Sequence, residues 1–157
     1  MSNYLTPLSV ETLRAAGIPA PWVFGRRDKV RFYELDALNH VNNTAYLRWF
    51  ETLRVAWLSA YGLSDYGPDD PMIVVRALSC DYHAPMFLNE DYIATARCVS
   101  VRTTSFVKEY GIWSGGQLKA SGQAVIVVTD DSGTTKMPLP DDARARFIDI
   151  DGARDDG

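Results

Sequence analysis

The stretch ELDALNHVNNTAYLRWFE, residues 34–51, sets two unlike patterns end to end. Asp36, His40, Asn42 and Asn43 gather reactive polar groups in its first half. From Asn43 onward an apolar periodicity takes over: Tyr46, Phe50, Leu53, Trp57 and Tyr61 recur at helical spacing, with Leu47 and Leu58 beside them. The spacing predicts a helix over 43–61, closed by Gly62 at the position after its C-cap. Trp49, Ala56 and Ala60 carry the apolar surface around most of the circumference. Arg48, Glu51, Thr52 and Arg54 leave a narrow polar stripe. A helix with so little polar surface must be covered by something else.

The rest of the chain supplies the cover. Ser9 is suited to cap a short helix through Ala16, stopped by Gly17 and Pro19. Residues 28–35 (DKVRFYEL) have the β-branched and aromatic content of a strand. Beyond the loop at 62–71, four strand patterns follow at 72–86, 91–102, 104–113 and 118–130. Gly115-Gly116 and Asp131-Ser132-Gly133 provide tight turns. Residues 138–147 suggest a short terminal helix, and 150–157 a frayed tail. The expected fold class is therefore α+β: five largely antiparallel strands curled around one long central helix, with short helices at both ends. This is the hot-dog arrangement. It makes one domain over residues 1–157, with its core at about 26–147 and a helical extension at 1–25. Strand edges left open by the curl favour a homodimer, and such dimers can pair into homotetramers.

Composition narrows the function. The 157 residues are 46% hydrophobic and 23% charged, as in an ordinary globular domain. Sixteen basic against twenty acidic side chains give a net charge of −4, which argues against a nucleic-acid partner. No basic-then-apolar leader and no apolar run of about 20 residues is present, so neither secretion nor membrane insertion is expected. A cytoplasmic, reducing location is the expectation; a disulfide between Cys80 and Cys98, the only cysteines, is possible but not demanded. Two histidines and two cysteines, of which only Cys80 and His83 are close in sequence, are too few for a metal centre. No G-x-S-x-G elbow occurs, and a hairpin turn explains the GGQ at 115–117.

Two readings of residues 36–43 compete. In the structural one, Asn42 and Asn43 cap the helix, Asp36 forms a turn and His40 is a loop residue. In the functional one, the helix start offers unpaired N–H groups and a partial positive charge to a carbonyl oxygen that turns negative during attack. A carboxylate beside it would serve as general base or nucleophile. Glu51, whose nearer role is an ion pair with Arg48 or Arg54, is the reserve carboxylate.

VRFYELDALNHVNNTAYLRWFE (residues 30–51) resembles the signature of the 4-hydroxybenzoyl-CoA thioesterase-like branch of the hot-dog superfamily: an acidic residue closing the first strand and, ten residues on, a helical tyrosine. Asp36 and Tyr46 match it. DYHAPMFLNEDY (81–92) is similar to the branch's strand-Pro-turn-Asp segment through Pro85 and Asp91, TTSF (103–106) to its serine-bearing strand, and TKMPLP (135–140) to its closing segment. The resemblance implies an acyl-CoA thioesterase with Asp36 as base or nucleophile and the Asn43 amide polarising the thioester carbonyl. It implies that Asn42 and Tyr46 shape the pocket, that Ser105 faces the acyl group or pantetheine, and that two subunits share each site. It also implies a nucleotide held near the surface by basic side chains, for which Arg102 and Lys108 flank the serine strand. The chain departs from the pattern at Asn43, where several relatives carry histidine, and at Asn89-Glu90 before Asp91. His40 therefore either orients Asp36 or the water, or lines the pocket. No cofactor is expected, since coenzyme A belongs to the substrate.

The rivals are a hot-dog enoyl-CoA hydratase or dehydratase and a non-catalytic acyl-CoA or lipid-binding module. The lyase pattern pairs Asp and His five residues apart with a nearby proline. Here Asp36 and His40 are four apart and the proline is missing.

Overall fold

The computed structural model describes residues 3–157. Helix α1 spans Val10–Ala15, with the Ser9 hydroxyl accepting from the Thr12 amide at its start. Strand β1 spans Gly25–Lys29, α2 Asn43–Ala60, β2 Met72–Tyr82, β3 Asp91–Val101, β4 Ser105–Ser114, β5 Gln117–Thr129, α3 Asp141–Asp151 and β6 Arg154–Asp155. The sheet order is β1-β3-β4-β5-β2, antiparallel throughout that path, and β6 adds to β3 in parallel. The hot-dog arrangement expected from the helix and strand patterns is the one observed.

The predicted helix over 43–61 forms because its apolar residues meet the sheet. Tyr46, Phe50, Leu53, Trp57 and Leu58 are buried, and one core runs from them into Ala96, Phe106, Tyr110 and Ile112 of the sheet. Phe50 stacks on Tyr110 with ring centroids 4.7 Å apart. It also presses on the sheet backbone: a Cβ at Gly122 would lie 2.4 Å from the Phe50 ring, so only glycine allows this approach. The helix ends in a Schellman motif. Gly62, at φ 73°, donates to Ser59, and Leu63 donates to Leu58.

Three local readings need correction. The first strand is Gly25–Lys29 rather than 28–35, and Phe32–Glu34 form a 3-10 turn. The Glu34 carboxylate accepts the Arg31 amide at 2.8 Å, which turns the chain away from β3 just after Val30. Arg54, assigned to the polar stripe, is buried and donates to the Tyr110 hydroxyl at 3.1 Å. The C-terminal residues are ordered against the body instead of frayed. Asp151 is buried, and the Asp156 amide donates to Val101 at 2.8 Å. Among the described residues, no helix is long and apolar enough to cross a membrane.

Candidate active site

The segment between Leu35 and Asn42 is a closed turn whose shape is dictated by Asp36. Its Oδ1 accepts the Leu38 amide at 2.8 Å and the His40 amide at 3.3 Å, and its own N–H donates to the His40 carbonyl at 2.8 Å. Asn39, at φ 60°, makes the reversal, a conformation that asparagine tolerates better than most residues. The Asn42 amide donates to the Glu34 carbonyl at 2.8 Å and the Val41 amide to Met86 at 2.9 Å. These bonds tie the turn to the helix on one side and to the β2–β3 connection on the other.

Asn42 is the N-cap of α2. Its Oδ1 accepts the amides of Thr44 at 2.9 Å and Ala45 at 3.0 Å. The second and third helical amides are thereby consumed, whereas the Asn43 amide, the first, has no partner along the helix. The structural reading of Asn42 is thus realised, and it leaves one oriented donor with no partner among the described residues at the positive end of an 18-residue helix.

Asp36, His40, Asn43 and Tyr46 line one open cavity of about 400 Å³ together with Val41, Tyr82, His83, Ala84 and Pro85. Asp36 is solvent-exposed at its rim. The His40 ring meets Phe87 edge-on at 5.2 Å. Tyr46 is buried between Trp49 and Tyr82, and burial pushes its hydroxyl up to about 12. It therefore stays protonated near neutrality, able to hydrogen-bond or pack but not to act as a base. The Tyr82 hydroxyl donates to the Asn43 carbonyl at 2.7 Å, and His83 Nε2 hydrogen-bonds Ser121 Oγ at 2.8 Å. Sequence alone did not mark Tyr82 and His83 as site residues. They arrive because β2 pairs with β5 in a register that sets Tyr82 opposite Ala120, at the open end of α2.

The other candidates lie elsewhere in the chain. Ser105 pairs with Val127, and six residues of β5, about 20 Å of strand, separate that position from Ser121 beside His83. Arg102 is exposed near the same far end. Glu51 is exposed about 12 Å along the helix from Asn43 by the usual rise, in a separate cavity with Arg26, Thr52, Ser59, Asp65 and Tyr66. It joins no ion pair among the described residues. Lys108 requires a correction. It is fully buried with Nζ 3.0 Å from the centroid of the Trp57 ring, so no phosphate at the surface reaches it.

Comparison with known proteins agrees with this architecture. Residues 30–147 match the model of the family described as "Thioesterase-like superfamily". Among solved structures, a thioesterase-superfamily protein from Jannaschia sp. CCS1 shares 46% identity over 98% of both chains, with a TM-score of 0.93. A thioesterase from Thermus thermophilus, solved with coenzyme A and Zn, shares 29% identity over 82% of this chain and 94% of that one, with a TM-score of 0.71. A 1,4-dihydroxy-2-naphthoyl-CoA thioesterase from Synechocystis, at 22% identity over 82% and 97% of the two chains, repeats the fold with a TM-score of 0.72. No curated protein matches the chain. With the family match covering most of its length, the chain belongs to the thioesterase-like superfamily and is a thioester hydrolase of the hot-dog fold.

Proposed function

We propose that the protein hydrolyses an acyl- or aroyl-CoA to the free acid and CoA at the mouth of α2. The observation that carries this reading is the free Asn43 amide sharing a cavity with the Asp36 carboxylate. The thioester carbonyl accepts from that amide, and the charge developing on its oxygen is met by the helix dipole. Asp36 then either deprotonates a water or attacks the carbonyl to give a mixed anhydride that water opens. The thiolate leaves unaided, because a thiol is a far better leaving group than an alcohol. Asp36 Oδ1 is engaged by the turn amides, so Oδ2 is the oxygen assigned to chemistry.

The working unit is a homodimer. Strand β2 forms one edge of the sheet and carries exposed Met72, Val75, Leu78 and Tyr82. A two-fold pairing of β2 with its copy would set the Ser105 end of one sheet beside the Asp36 end of the other, because the strand runs from opposite Thr129 to opposite Ala120. Ser105 and Arg102, remote from Asp36 within one chain, then belong to the partner's site, at the acyl group or pantetheine and at the nucleotide phosphates respectively. Both cysteines are free, in keeping with a reducing cytoplasm.

The test is a thiol-release screen over short, long, branched and aromatic acyl-CoAs, with enoyl-CoA hydration followed in parallel. Release of CoA from at least one class without hydration supports the reading. Hydration without release, or tight binding without turnover, overturns it.

A further inference from the structure

On the far side of Trp49 from the Asp36 cavity lies a second cleft, of about 280 Å³, between β1 and α2. Its apolar walls are Leu5, Trp49, Leu53, Tyr92 and Ala94. Trp49 stacks on Tyr92 with centroids 4.2 Å apart, and its ring also meets Tyr46, the aromatic that lines the catalytic cavity. The two cavities are thus neighbours divided by an aromatic partition.

The charges of this cleft are incompletely matched. Arg26, Arg31 and Arg48 line it against Asp28 and Glu34. Both carboxylates are already engaged. Arg31 grips Asp28 with two nitrogens, at 3.0 and 3.2 Å, and Glu34 accepts from the Arg31 amide at 2.8 Å and the Trp49 indole at 2.6 Å. Arg26 and Arg48 enter no ion pair among the described residues. The buried Nε of Arg26 has no hydrogen-bond partner there, and one of its terminal nitrogens makes only a long contact of 3.4 Å to the Leu5 carbonyl. Burial also depresses the Arg26 pKa, with Asp28 only partly opposing it.

From this geometry we infer that the cleft is a second ligand site, for an aromatic monocarboxylate whose carboxylate is held by Arg26 and Arg48 and whose ring lies against Leu5 and Tyr33, the exposed apolar side chains of its lining. Guanidinium groups match a planar carboxylate through paired N–H donors. Three cations against two anions leave a single net positive charge, matched to a monoanion and not to a phosphate dianion. The site stands apart from the thioesterase reading, since none of its charged residues enters that chemistry.

Isothermal titration of the full-length protein with benzoate tests this, with benzamide as the neutral isostere and inorganic phosphate as the bare oxyanion. Benzoate should bind the wild type and Asp36→Asn with equal affinity. Binding should weaken at least tenfold in Arg48→Ala, whose side chain is exposed and whose loss leaves the fold and thiol release intact. It should disappear in Arg26→Gln, checked by circular dichroism for retained structure. Benzamide should bind at least tenfold more weakly than benzoate. Absent benzoate binding, affinity unchanged in Arg48→Ala, loss of binding in Asp36→Asn, or phosphate binding as tight as benzoate would each overturn the assignment.

Discussion

Lys108 holds its ammonium group 3.0 Å from the centroid of the Trp57 ring, out of solvent and with no hydrogen-bond acceptor among the described residues. Burial drives its pKa well below 10.5, and the Asp151 carboxylate opposes the shift without bonding to it. Aromatic contact offsets only part of such a desolvation cost. Lys108→Met is therefore expected to stabilise the fold at pH 7 by about 1–2 kcal/mol, measured by urea denaturation. Between the folded pKa and 10.5, the unfolded chain holds the proton and the folded chain does not, so wild-type stability rises with pH through that window. The advantage of the variant should shrink as pH approaches 10.5.

The position of Lys108 was legible in a pattern that a search for phosphate contacts passes over. Phe106, Tyr110 and Ile112 share its parity on β4, and all are buried. Side chains two apart on a strand face the same side, which sets Lys108 in the core. The long helix, its glycine stop and the Gly115-Gly116 hairpin were readable because each depends on local spacing alone. The end of β1 was not. The bond from the Arg31 amide to Glu34 overrides the strand propensity of Val30–Phe32, and propensity cannot foresee a side chain folding back on the backbone. Tyr82 and His83 reach the candidate site through strand register, which no short stretch of sequence encodes.

Asp151 joins three elements. It accepts from the Tyr61 hydroxyl at the end of α2 and from the Cys98 amide of β3 at 2.7 Å, while it is itself part of α3. Burial raises its pKa, with these two donors opposing. Deleting residues 150–157 removes this junction and the β6 pairing, leaving buried donors unsatisfied. A loss of about 2–4 kcal/mol is expected, read from the thermal midpoint. A change of a few tenths would mean that the tail is dispensable.

Asn42 serves stability and the candidate site by one bond pattern. Asn42→Ala should cost about 1 kcal/mol through loss of the cap, and Asn42→Asp should retain it. Because the cap fixes the first turn around the Asn43 amide, the alanine variant should also lose kcat for thiol release, and aspartate should restore stability. Stability unchanged in alanine would show that the cap bonds contribute nothing.

The exposed β2 edge bears on assembly. Val75→Asp combined with Leu78→Asp sets charge on both copies of a two-fold strand pair, where like charges repel. Light scattering coupled to gel filtration should report the mass of two 17.5 kDa chains for the wild type and one for the variant. Thiol release should fall with the dimer. A fully active monomer would contradict a site shared between subunits.

Asp36→Asn is the most direct test of the catalytic reading, because the amide oxygen can still accept from Leu38 and His40 and so preserves the turn. The measurement is kcat/KM for thiol release on the best acyl-CoA, beside a thermal melt. The expected result is a loss of about a thousandfold or more, above 4 kcal/mol in barrier, with the melting point nearly unchanged. Activity within about tenfold of wild type would contradict a catalytic role for the Asp36 carboxylate.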